Sequence, residues 1–489
     1  MVTRGIAPLF AGIDVGTQGV RVLVADAQGA VHARTAVPLE TQSGPGGRAE
    51  QRPDDWWAAA AAGLRAVTAS LGSEAADIAA LAVTATSGTI CLLNPAGRPV
   101  GPAIMYRDRR ATAEAAELNL AAATLCARLG YRFDASFGLP KLLWLRRHAP
   151  DQLAAAAHVA HAADLIVGRL SGDYGVSDWS HALKSGYDLL NLRWPEEILA
   201  ALDLPLAKLP RVVAPASVIA QVSPAAAGAT GLPPTTIIAA GMSDGCAAQI
   251  AGGAAAPGQW LSVLGTTLVL KGVSATLPRD PQGRVYAHRH PDGHWLPGAA
   301  SNTGGAALAT RFPGADLAAL DTRAAAITPG GAICYPLQGS GERFPFIAPA
   351  AEGFLLGAGH DREAEYTAIL EGVAFLERLA YAELEGLGYM VAGPIRTAGG
   401  GARSPAWLQI RADVLSRPLI VPREVEAAFG AAVLAAAAHI HPGLGVATCA
   451  MSHARTEVYP RPDAARYDAP YARFIAELRD RGYLPSRPL

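Results

Sequence analysis

Cysteine is scarce in this sequence. Five cysteines are spread over 489 residues, and no two of them form a Cys-x-x-Cys pair. An odd number at scattered positions argues against a disulfide framework and against a cysteine zinc site. The sequence therefore predicts a protein of a reducing compartment, the cytoplasm.

An excess of one charge and long hydrophobic runs are lacking as well. The formal net charge is −1, so no basic field draws the chain to nucleic acid or acidic lipid. A polar or charged residue interrupts each apolar stretch before the roughly 20 residues that a membrane helix needs. The segment Met1–Leu9 is too short for a secretory signal. We expect neither nucleic acid nor a membrane among the partners.

The sequence does contain enough apolar residues for a large core. Hydrophobic residues make up 51% and charged residues 17% of a chain that is longer than one ordinary domain. An apolar run predicts a strand over Phe10–Val15, and alternating apolar residues predict a second strand over Val20–Asp26. A helix capped by Asp54 or Asp55 is expected to end near Leu71. Strands followed by helices indicate the α/β class.

The second half repeats this arrangement. A buried strand over Thr236–Ala240 precedes an alanine-rich helix. The strand Trp260–Leu264 ends in the turn Gly265-Thr266, just as the strand Phe10–Val15 ends in the turn Gly16-Thr17. Each half therefore contains a strand, a Gly-Thr turn and a returning strand, which predicts two related domains. The stretch Pro224–Pro234 is rich in proline, alanine and glycine, so we place the boundary there. The predicted domains are residues 8–234 and 235–489.

The first Gly-Thr turn carries chemistry suited to phosphate. Asp14 ends a strand, Gly16-Thr17-Gln18-Gly19 turns the chain, and Arg21 lies on the returning strand. Glycines leave backbone N–H groups open to phosphate oxygens, and Arg21 adds a permanent charge. Asp14 is a candidate ligand for magnesium, directly or through water. The alternative is an ordinary hairpin with a solvated Asp and Arg.

Two further glycine segments suit a nucleotide. The turn Gly265-Thr266-Thr267 offers N–H and hydroxyl donors. The run Gly399-Gly400-Gly401 joins a strand to a helix, with Ser404 as the expected N-cap and Pro405 as the first helical residue. A glycine run at such a junction allows a flat or anionic ligand to approach the backbone. A flexible loop is the alternative.

Asp244 follows a buried strand and begins a helix. Aspartate is a frequent helix cap. A carboxylate at this position is equally well placed as a general base that takes the proton of an attacking hydroxyl. The residue pattern leaves both interpretations open.

Together these segments resemble the FGGY carbohydrate kinases, over nearly the whole chain. The motifs that carry the resemblance are Asp14-x-Gly16-Thr17-x-x-x-Arg21, Gly241-Met242-Ser243-Asp244, Leu264-Gly265-Thr266-Thr267, Ser301–Ala307, Gly399–Trp407 and Gln409–Leu415. The resemblance implies the actin/hexokinase/Hsp70-like fold. That fold has two actin-like (ribonuclease H-like) domains, mixed sheets flanked by helices, and an interdomain catalytic cleft.

The resemblance also implies ATP and Mg²⁺ as cofactors and assigns roles to residues. Asp244 is the implied base toward a terminal sugar hydroxyl, and Asp14 lies near the metal. The residues assigned to ATP and its phosphates are Gly16, Thr17, Gln18, Arg21, Gly265, Thr266, Thr267, Gly305, Gly400, Gly401 and Ser404. Thr86, Ser87, Asp108 and Asp244 form the implied sugar side. For Asp108 a surface ion pair with Arg107 or Arg109 is the alternative.

The sugar is indicated by one loop and one supporting segment. Xylulose kinases of the family carry Met-His-Gly where this chain has Thr86-Ser87-Gly88-Thr89. That loop, and the segment Ser177–Asp188, are similar to a xylulose-kinase-like subgroup that prefers D-ribulose. We therefore expect a ketopentose kinase with D-ribulose ahead of D-xylulose or another ketose or polyol.

Two other classes of protein on this fold are weighed. A chaperone or filament ATPase is disfavoured because the chain ends soon after Gly399–Ser404. A non-catalytic sugar or nucleotide sensor is disfavoured because Asp14, Asp244 and the phosphate turns are all present. The expected partners are a sugar and ATP, and a homodimer is left open.

Overall fold

Residues 8–359 and 361–485 are described by the computed structural model. Most of Met1–Leu9, on which the expectation about a secretory signal rests, lies outside the described residues. The chain divides into two compact units. The first contains the residues up to Ala251 together with His288–His294 and Glu424–His453. The second contains Gly252–Ala287, Trp295–Arg423 and the residues from Ala454 onward.

The main sheet of the first unit has six strands of mixed direction. From edge to edge the strands are Val218–Gln221, Ile237–Ala239, Ile78–Ala85, Leu9–Gly16, Gly19–Asp26 and Val31–Pro38. Gly19–Asp26 runs antiparallel to both of its neighbours, Leu9–Gly16 and Val31–Pro38. Ile78–Ala85 and Ile237–Ala239 run parallel to Leu9–Gly16. Val218–Gln221 closes the edge in the antiparallel sense.

The main sheet of the second unit repeats this pattern. Its strands are Tyr286–Arg289, Trp295–Ala300, Leu268–Gly272, Trp260–Leu264, Ile395–Ala398, Leu419–Pro422 and Ala454–Val458. Trp260–Leu264 pairs antiparallel with the strand after its turn and parallel with Ile395–Ala398. The repeated sense of pairing confirms the related α/β halves that the sequence predicts.

Smaller strands complete the two units. A three-stranded sheet joins Gln42–Gly44, Arg48–Gln51 and Ala103–Ile104. The two-stranded pairs are Cys91–Leu93 with His158–Ala160, Val176–Asp178 with Arg211–Val213, and Ile333–Glu342 with Ala348–Leu356.

Helices flank the sheets. In the first unit they are Pro53–Leu71, Thr112–Ala121, Ala123–Leu129, Gly138–His148, Pro150–Ala155, Ala162–Ser171, Trp179–Lys184, Glu196–Ala201, Pro224–Thr230, Asp244–Ala251, Ala427–His439 and Leu444–Met451. In the second they are Ala306–Arg311, Leu317–Ile327, Arg362–Gly386, Pro405–Leu415 and Asp468–Asp480. Short 3₁₀ turns lie at Pro45–Gly47, Gly72–Asp77, Leu206–Lys208, Gly400–Arg403 and Ala464–Tyr467. Within the described residues no helix has the length and apolar character to cross a bilayer.

The first core is built on the strand Leu9–Gly16, which is buried along almost its whole length. The helix Ala427–His439 lies directly against it, because a Cβ on Gly12 would come within 1.8 Å of the Ala428 carbonyl oxygen. Only glycine at position 12 leaves room for the helix backbone at this distance. The strand and the helix therefore pack backbone against backbone.

The core of the second unit contains a buried ion pair. Arg411 and Glu377 are both fully buried, with Arg411 Nε and Nη2 donating to the Glu377 carboxylate at 2.7 and 2.9 Å. Arg411 also donates to Thr397 Oγ1 at 2.7 Å and to Ser262 Oγ at 3.1 Å. These two hydroxyls face each other on neighbouring strands. The guanidinium thus ties together the strands that lead to Gly265 and Gly399.

Two local expectations differ from the structure. The first unit continues to Ala251 rather than to residue 234, because Ile237–Ala239 pairs with the first sheet and carries the Asp244 helix with it. The helix that ends at Leu71 begins at Pro53 with Arg52 at the cap position, so Asp54 and Asp55 lie in its first turn instead of capping it. Proline suits the first helical position because it needs no N–H there.

Candidate active site

The first phosphate motif forms a tight hairpin. Asp14 pairs with Arg21 and Gly16 with Gly19, so Thr17 and Gln18 make the two-residue turn. The buried side chain of Gln51 supports this turn, since its Nε2 donates to the Thr17 carbonyl oxygen at 2.8 Å. The predicted strand–turn–strand element is present at these residues.

Asp14 is buried at the start of this turn. Its side chain is 8% exposed, and its Oδ2 accepts from Arg21 Nη1 at 3.2 Å. Its Oδ1 is buried without a hydrogen-bond partner. Burial, together with the charge of Asp244, raises the pKa of Asp14 to about 7, although Arg21 opposes the rise. A cation beside Oδ1 would satisfy this oxygen and favour the ionised carboxylate.

Asp244 lies where a strand of the same sheet ends. Ala85 and Ser243 form a parallel β-bridge, and Thr84 Oγ1 donates to the Met242 carbonyl oxygen at 2.6 Å. Asp244 is the first residue of the helix Asp244–Ala251, it is half-buried, and its Oδ1 accepts from the Gly245 N–H at 2.6 Å. One carboxylate oxygen therefore bonds to the first turn of the helix, but Asp244 is its first helical residue rather than its N-cap, since the Cys246 and Ala247 N–H groups donate to the Ser243 carbonyl oxygen.

A cavity of about 620 Å³ in the first unit brings most of these residues together. The predicted site residues that line it are Asp14, Gly16, Thr17, Gln18, Arg21, Thr86 and Asp244. The remaining lining residues, which were not predicted as site residues, are Leu39, Thr41, Tyr106 and Arg107. The lining is therefore largely polar and contains two carboxylates and two guanidinium groups.

The predicted sugar loop enters this cavity through Thr86. Thr86 Oγ1 lies 3.1 Å from Thr89 Oγ1, which also accepts from the Tyr106 N–H at 3.0 Å. Since Thr89 can donate to Thr86 or accept from it, the Thr86 hydroxyl can offer either a lone pair or a proton to a ligand. Ser87 is half-buried beside it and is not among the lining residues.

Asp108 occupies a different environment from either predicted one. It is 1% exposed, and its Oδ1 accepts from Arg110 N and Nε, at 3.0 and 2.9 Å. Its Oδ2 accepts from the Ala49 N–H and from Arg110 Nη2, both at 2.7 Å. Burial alone would raise the pKa of Asp108, but these hydrogen bonds lower it. The surface pairing with Arg107 or Arg109 is wrong, and both oxygens are engaged within the protein.

The second Gly-Thr turn lies in the second unit. Leu264 and Leu268 pair across it, and the Gly265 N–H donates to the Thr267 carbonyl oxygen at 3.0 Å. The Gly305 N–H donates to the Gly265 carbonyl oxygen at 2.8 Å. A Cβ on Gly305 would lie 2.7 Å from that oxygen, so glycine is required for this contact. Gly305 is thus placed beside the turn, and its contact with the nucleotide stays a prediction.

The glycine run meets the same turn. Gly399 has φ of +87°, and a Cβ there would lie 2.4 Å from the Leu264 carbonyl oxygen. Gly400 faces open space. Ser404 is the N-cap of the next helix, with its Oγ accepting from the Trp407 N–H at 3.0 Å, and Pro405 is the first helical residue. The predicted cap is confirmed.

A cavity of about 1200 Å³ in the second unit is lined by these glycine segments. Of the residues predicted to contact ATP in this unit, Gly265, Thr266, Gly305, Gly400, Gly401 and Ser404 line the cavity and Thr267 does not. Phe312, Tyr366 and Trp407 add aromatic surface, and Tyr366 donates to Asp321 Oδ1 at 2.7 Å. Glycine backbone and aromatic rings in one cavity suit a nucleotide.

The cavity of the first unit offers donors for a divalent cation. Asp14 supplies an unpartnered buried oxygen, as a cation ligand would. Among residues 8–359 and 361–485 no group of three or more His, Cys, Asp or Glu side chains converges on one point. Magnesium commonly takes one or two carboxylates and completes its shell with water and phosphate oxygens. The residues therefore fit magnesium held jointly with a phosphorylated substrate.

Sequence reasoning missed the residues that support the site from beneath. Gln51 is fixed by Trp56, whose Nε1 donates to Gln51 Oε1 at 2.7 Å. Ser180 accepts from the Ser243 N–H at 2.6 Å, one residue before Asp244. Gln51 contacts Thr17 across 34 positions and Ser180 contacts Ser243 across 63, and no local pattern in the sequence indicates these two contacts.

Comparison with known proteins agrees with this geometry. Residues 9–251 match the model of the N-terminal domain of the FGGY family of carbohydrate kinases, and residues 261–439 match that of its C-terminal domain. The xylulose kinase of Streptomyces coelicolor is 33% identical over 444 residues, which are 88% of this chain and 88% of that protein.

Solved structures show the same similarity. The xylulose kinase from Rhodospirillum rubrum has a TM-score of 0.85 and 29% identity, covering 96% of this chain and 98% of the other. A xyloylose kinase from Brucella ovis has a TM-score of 0.88 and 28% identity, covering 98% of this chain and 100% of the other. These matches confirm the fold class that the sequence predicts.

Proposed function

Since the chain belongs to the FGGY family of carbohydrate kinases, we propose that it transfers the γ-phosphate of ATP to a terminal hydroxyl of a ketopentose, with D-ribulose preferred. The observation that carries the proposal is the cavity of the first unit, where Asp14, Thr86 and Asp244 meet. It combines a hydroxyl that can orient a polyol with a carboxylate that can take a proton.

In this mechanism Asp244 is the general base. One of its oxygens accepts from the Gly245 N–H, which fixes the carboxylate at the helix start. The other oxygen accepts the proton of the sugar hydroxyl as that oxygen attacks the γ-phosphorus. The bond between the γ-phosphorus and the bridging oxygen breaks, and ADP leaves. Positioning and charge stabilisation provide most of the rate in such transfers.

The first turn supplies charge and fixed backbone. Arg21 is 42% exposed at its side chain and lines the cavity, so its guanidinium can bond to a phosphate oxygen. Gln51 holds Thr17 in place from below. Asp14 would hold Mg²⁺, which supplies positive charge to the phosphate oxygens when bound.

The second unit would bind the nucleotide. Gly265, Thr266 and Gly305 form a compact backbone surface with which phosphate oxygens can bond. Gly400 faces open space, so the backbone there is accessible to a ligand. Phe312 and Trp407 provide apolar surface for the adenine ring.

The identity of the sugar rests on the loop Thr86–Thr89. Its resemblance to a D-ribulose-preferring subgroup supports D-ribulose, and the Thr86 hydroxyl in the cavity lining is consistent with a small polyol. D-Xylulose is the second candidate, because several relatives of similar length are xylulose kinases. Ser87 remains a predicted sugar contact.

ADP release should be measured with D-ribulose, D-xylulose, ketohexoses, polyols, gluconate and glycerol. We expect the highest kcat/KM with D-ribulose. A higher value with D-xylulose would favour the second candidate, and the absence of stimulation by every sugar would refute the kinase proposal. Thr86→Val removes the hydroxyl at nearly constant volume and should raise the sugar KM about tenfold, the equivalent of one lost hydrogen bond.

We also propose that the reaction takes place in the cytoplasm. All five cysteines are free thiols, four of them buried and Cys449 exposed. Free thiols persist in a reducing compartment, which is also where ATP is available.

A further inference from the structure

A short buried helix, Trp179–Lys184, lies beneath the sugar side of the first unit. Its N-cap is Asp178, which is 4% exposed, and Ser180 and His181 are fully buried. Asp178 Oδ1 accepts from the Ser180 N–H, the Ser180 hydroxyl and the His181 N–H, at 2.8, 2.7 and 3.2 Å. The Asp178 carboxylate therefore fixes the start of the helix and the orientation of the Ser180 hydroxyl.

Ser180 connects this helix to the strand that carries the proposed base. The Ser243 N–H donates to Ser180 Oγ at 2.6 Å. The hydroxyl proton of Ser180 is directed at Asp178, so the lone pair that faces Ser243 is set by that bond. Asp244 is the next residue after Ser243, so the contact holds the backbone from which the base projects.

His181 connects the same helix to the sugar loop. Its Nε2 lies 3.1 Å from the Ala85 carbonyl oxygen, and its Nδ1 lies 2.5 Å from Asp178 Oδ2. A carbonyl oxygen only accepts hydrogen bonds, so Nε2 carries a proton. Asp178 already accepts several donors as a carboxylate, so Nδ1 carries one too. Thr86 is the next residue after Ala85.

The two contacts act on one pair of backbone positions. Ala85 and Ser243 are partners in a parallel β-bridge. The bonds from Ser180 and His181 therefore reach the two strands immediately before the residues that line the cavity. A shift of either strand would change the distance between the Thr86 hydroxyl and the Asp244 carboxylate.

A neighbouring buried network provides a contrast. His161 Nδ1 lies 2.7 Å from Asp164 Oδ2 and 3.0 Å from Ser177 Oγ, and its Nε2 lies 2.8 Å from Ser185 Oγ. Ser185 is 4% exposed. This network has the same kinds of group and similar burial, but none of these bonds reaches Ala85 or Ser243.

We propose that Ser180 and His181, oriented by Asp178, are positioning residues that hold the proposed base Asp244 and the sugar-loop residue Thr86 in register. The inference rests on the proposed roles of Asp244 and Thr86 in sugar phosphorylation. One buried helix, and not only the strands that carry Thr86 and Asp244, would therefore align the sugar with its base.

Ser180→Ala removes the acceptor for Ser243, and Ser185→Ala is its matched control. Since misplacing reacting groups by about 1 Å can cost about 100-fold in rate, we expect Ser180→Ala to lower kcat by roughly 10- to 100-fold. The KM for ATP should stay within about twofold in both variants, because the proposed nucleotide site lies in the second unit. Ser185→Ala should keep its kcat within about threefold of wild type, because the buried hydrogen bond that it removes, to His161 Nε2, reaches neither Ala85 nor Ser243.

A second pair of variants separates position from charge. The Gln side-chain amide can reach the place of Nε2 and donate to Ala85, whereas the shorter Asn amide reaches only the place of Nδ1. Both changes remove the imidazolium charge. We expect His181→Asn to raise the sugar KM about tenfold, as for one lost hydrogen bond, and His181→Gln to stay within about threefold.

Asp244→Asn is included in the same assay to separate the two proposals. If Asp244→Asn is inactive while Ser180→Ala behaves like Ser185→Ala, or while the Asn and Gln variants are equal, the positioning proposal alone is wrong. If Asp244→Asn retains wild-type kcat, the assigned base is wrong and the positioning proposal falls with it. Should Ser180→Ala fail to fold, the comparison of the two His181 variants decides.

Discussion

Replacing Asp14 by Asn should stabilise the ligand-free first unit, and the gain should depend on pH. Burial and the charge of Asp244 raise the pKa of Asp14 from its ordinary 3.8 to about 7. At about 1.36 kcal/mol per pKa unit, ionised Asp14 costs the folded state about 4 kcal/mol, an upper bound. Asn keeps the shape of the side chain and cannot ionise.

The direction in which stability changes with pH follows from the raised pKa of Asp14. Between pH 4 and 7 the folded state binds the proton that the unfolded state has released, so wild-type stability falls as pH rises. The loss is nearly complete at about pH 8. The advantage of Asp14→Asn should therefore grow by about 2 kcal/mol between pH 5 and pH 7 and level off above about pH 8. The broken contact with Arg21 contributes little, because that guanidinium is well exposed.

Hydrogen exchange followed by mass spectrometry can measure the stability difference between wild type and Asp14→Asn at each pH, without nucleotide and with a chelator present. The opening free energy of peptides from Leu9–Gly16 reports the first unit, and peptides from Trp260–Leu264 serve as an internal reference at each pH. A difference between variants that stays constant or shrinks from pH 5 to pH 7 would refute the buried, raised-pKa account.

Asp26→Asn is the matched control at the other end of the same hairpin. Burial raises the pKa of Asp26, but hydrogen bonds from His32 and from backbone N–H groups outweigh it and lower the pKa. The carboxylate is then ionised in both folded and unfolded states above pH 5. Its replacement should therefore give a difference that changes between pH 5 and pH 7 by far less than that of Asp14→Asn, since the pair of Asp26 with His32 is partly exposed.

Two further predictions concern the second unit. Arg411→Met leaves the fully buried Glu377 carboxylate without its partner and should cost about 3–5 kcal/mol of unfolding free energy by urea titration; adding Glu377→Gln should recover part of the loss, and a double variant no better than the single would contradict this. Gly399→Ala places a Cβ 2.4 Å from the Leu264 carbonyl oxygen at a φ of +87°, so it should lower the free energy of unfolding by about 1–3 kcal/mol. Gly400→Ala places its Cβ where no atom lies within 4 Å, so it should keep the Tm of wild type while weakening ATP binding. Equal Tm values for the two variants would show that the close contact at Gly399 does not matter for stability.

The parts of the site that the sequence predicts are local. The hairpin at Asp14–Arg21 and the cap at Ser404 depend on consecutive residues whose turn and cap preferences are strong. The repeated strand–turn–strand pattern likewise predicts two related sheets. Motif order then connected these elements to a kinase family.

The parts that the sequence does not predict depend on distant partners. Asp108 was assigned to the sugar or the surface, yet it bonds to the Ala49 N–H, which is 59 positions away. The first unit extends past the expected boundary because Ile237–Ala239 pairs with Ile78–Ala85. Gln51 and Ser180 support the site through contacts that no spacing rule indicates.

The most direct test is a single-turnover measurement of phosphate transfer from γ-labelled ATP to D-ribulose, comparing wild type with Asp244→Asn. Asn preserves the oxygen that accepts from the Gly245 N–H but is not a base. We expect wild type to convert the ketopentose to its terminal phosphate, and Asp244→Asn to bind both substrates but to transfer phosphate at least about 100-fold more slowly, as for a lost general base. Transfer at the wild-type rate by Asp244→Asn would show that Asp244 is not the base.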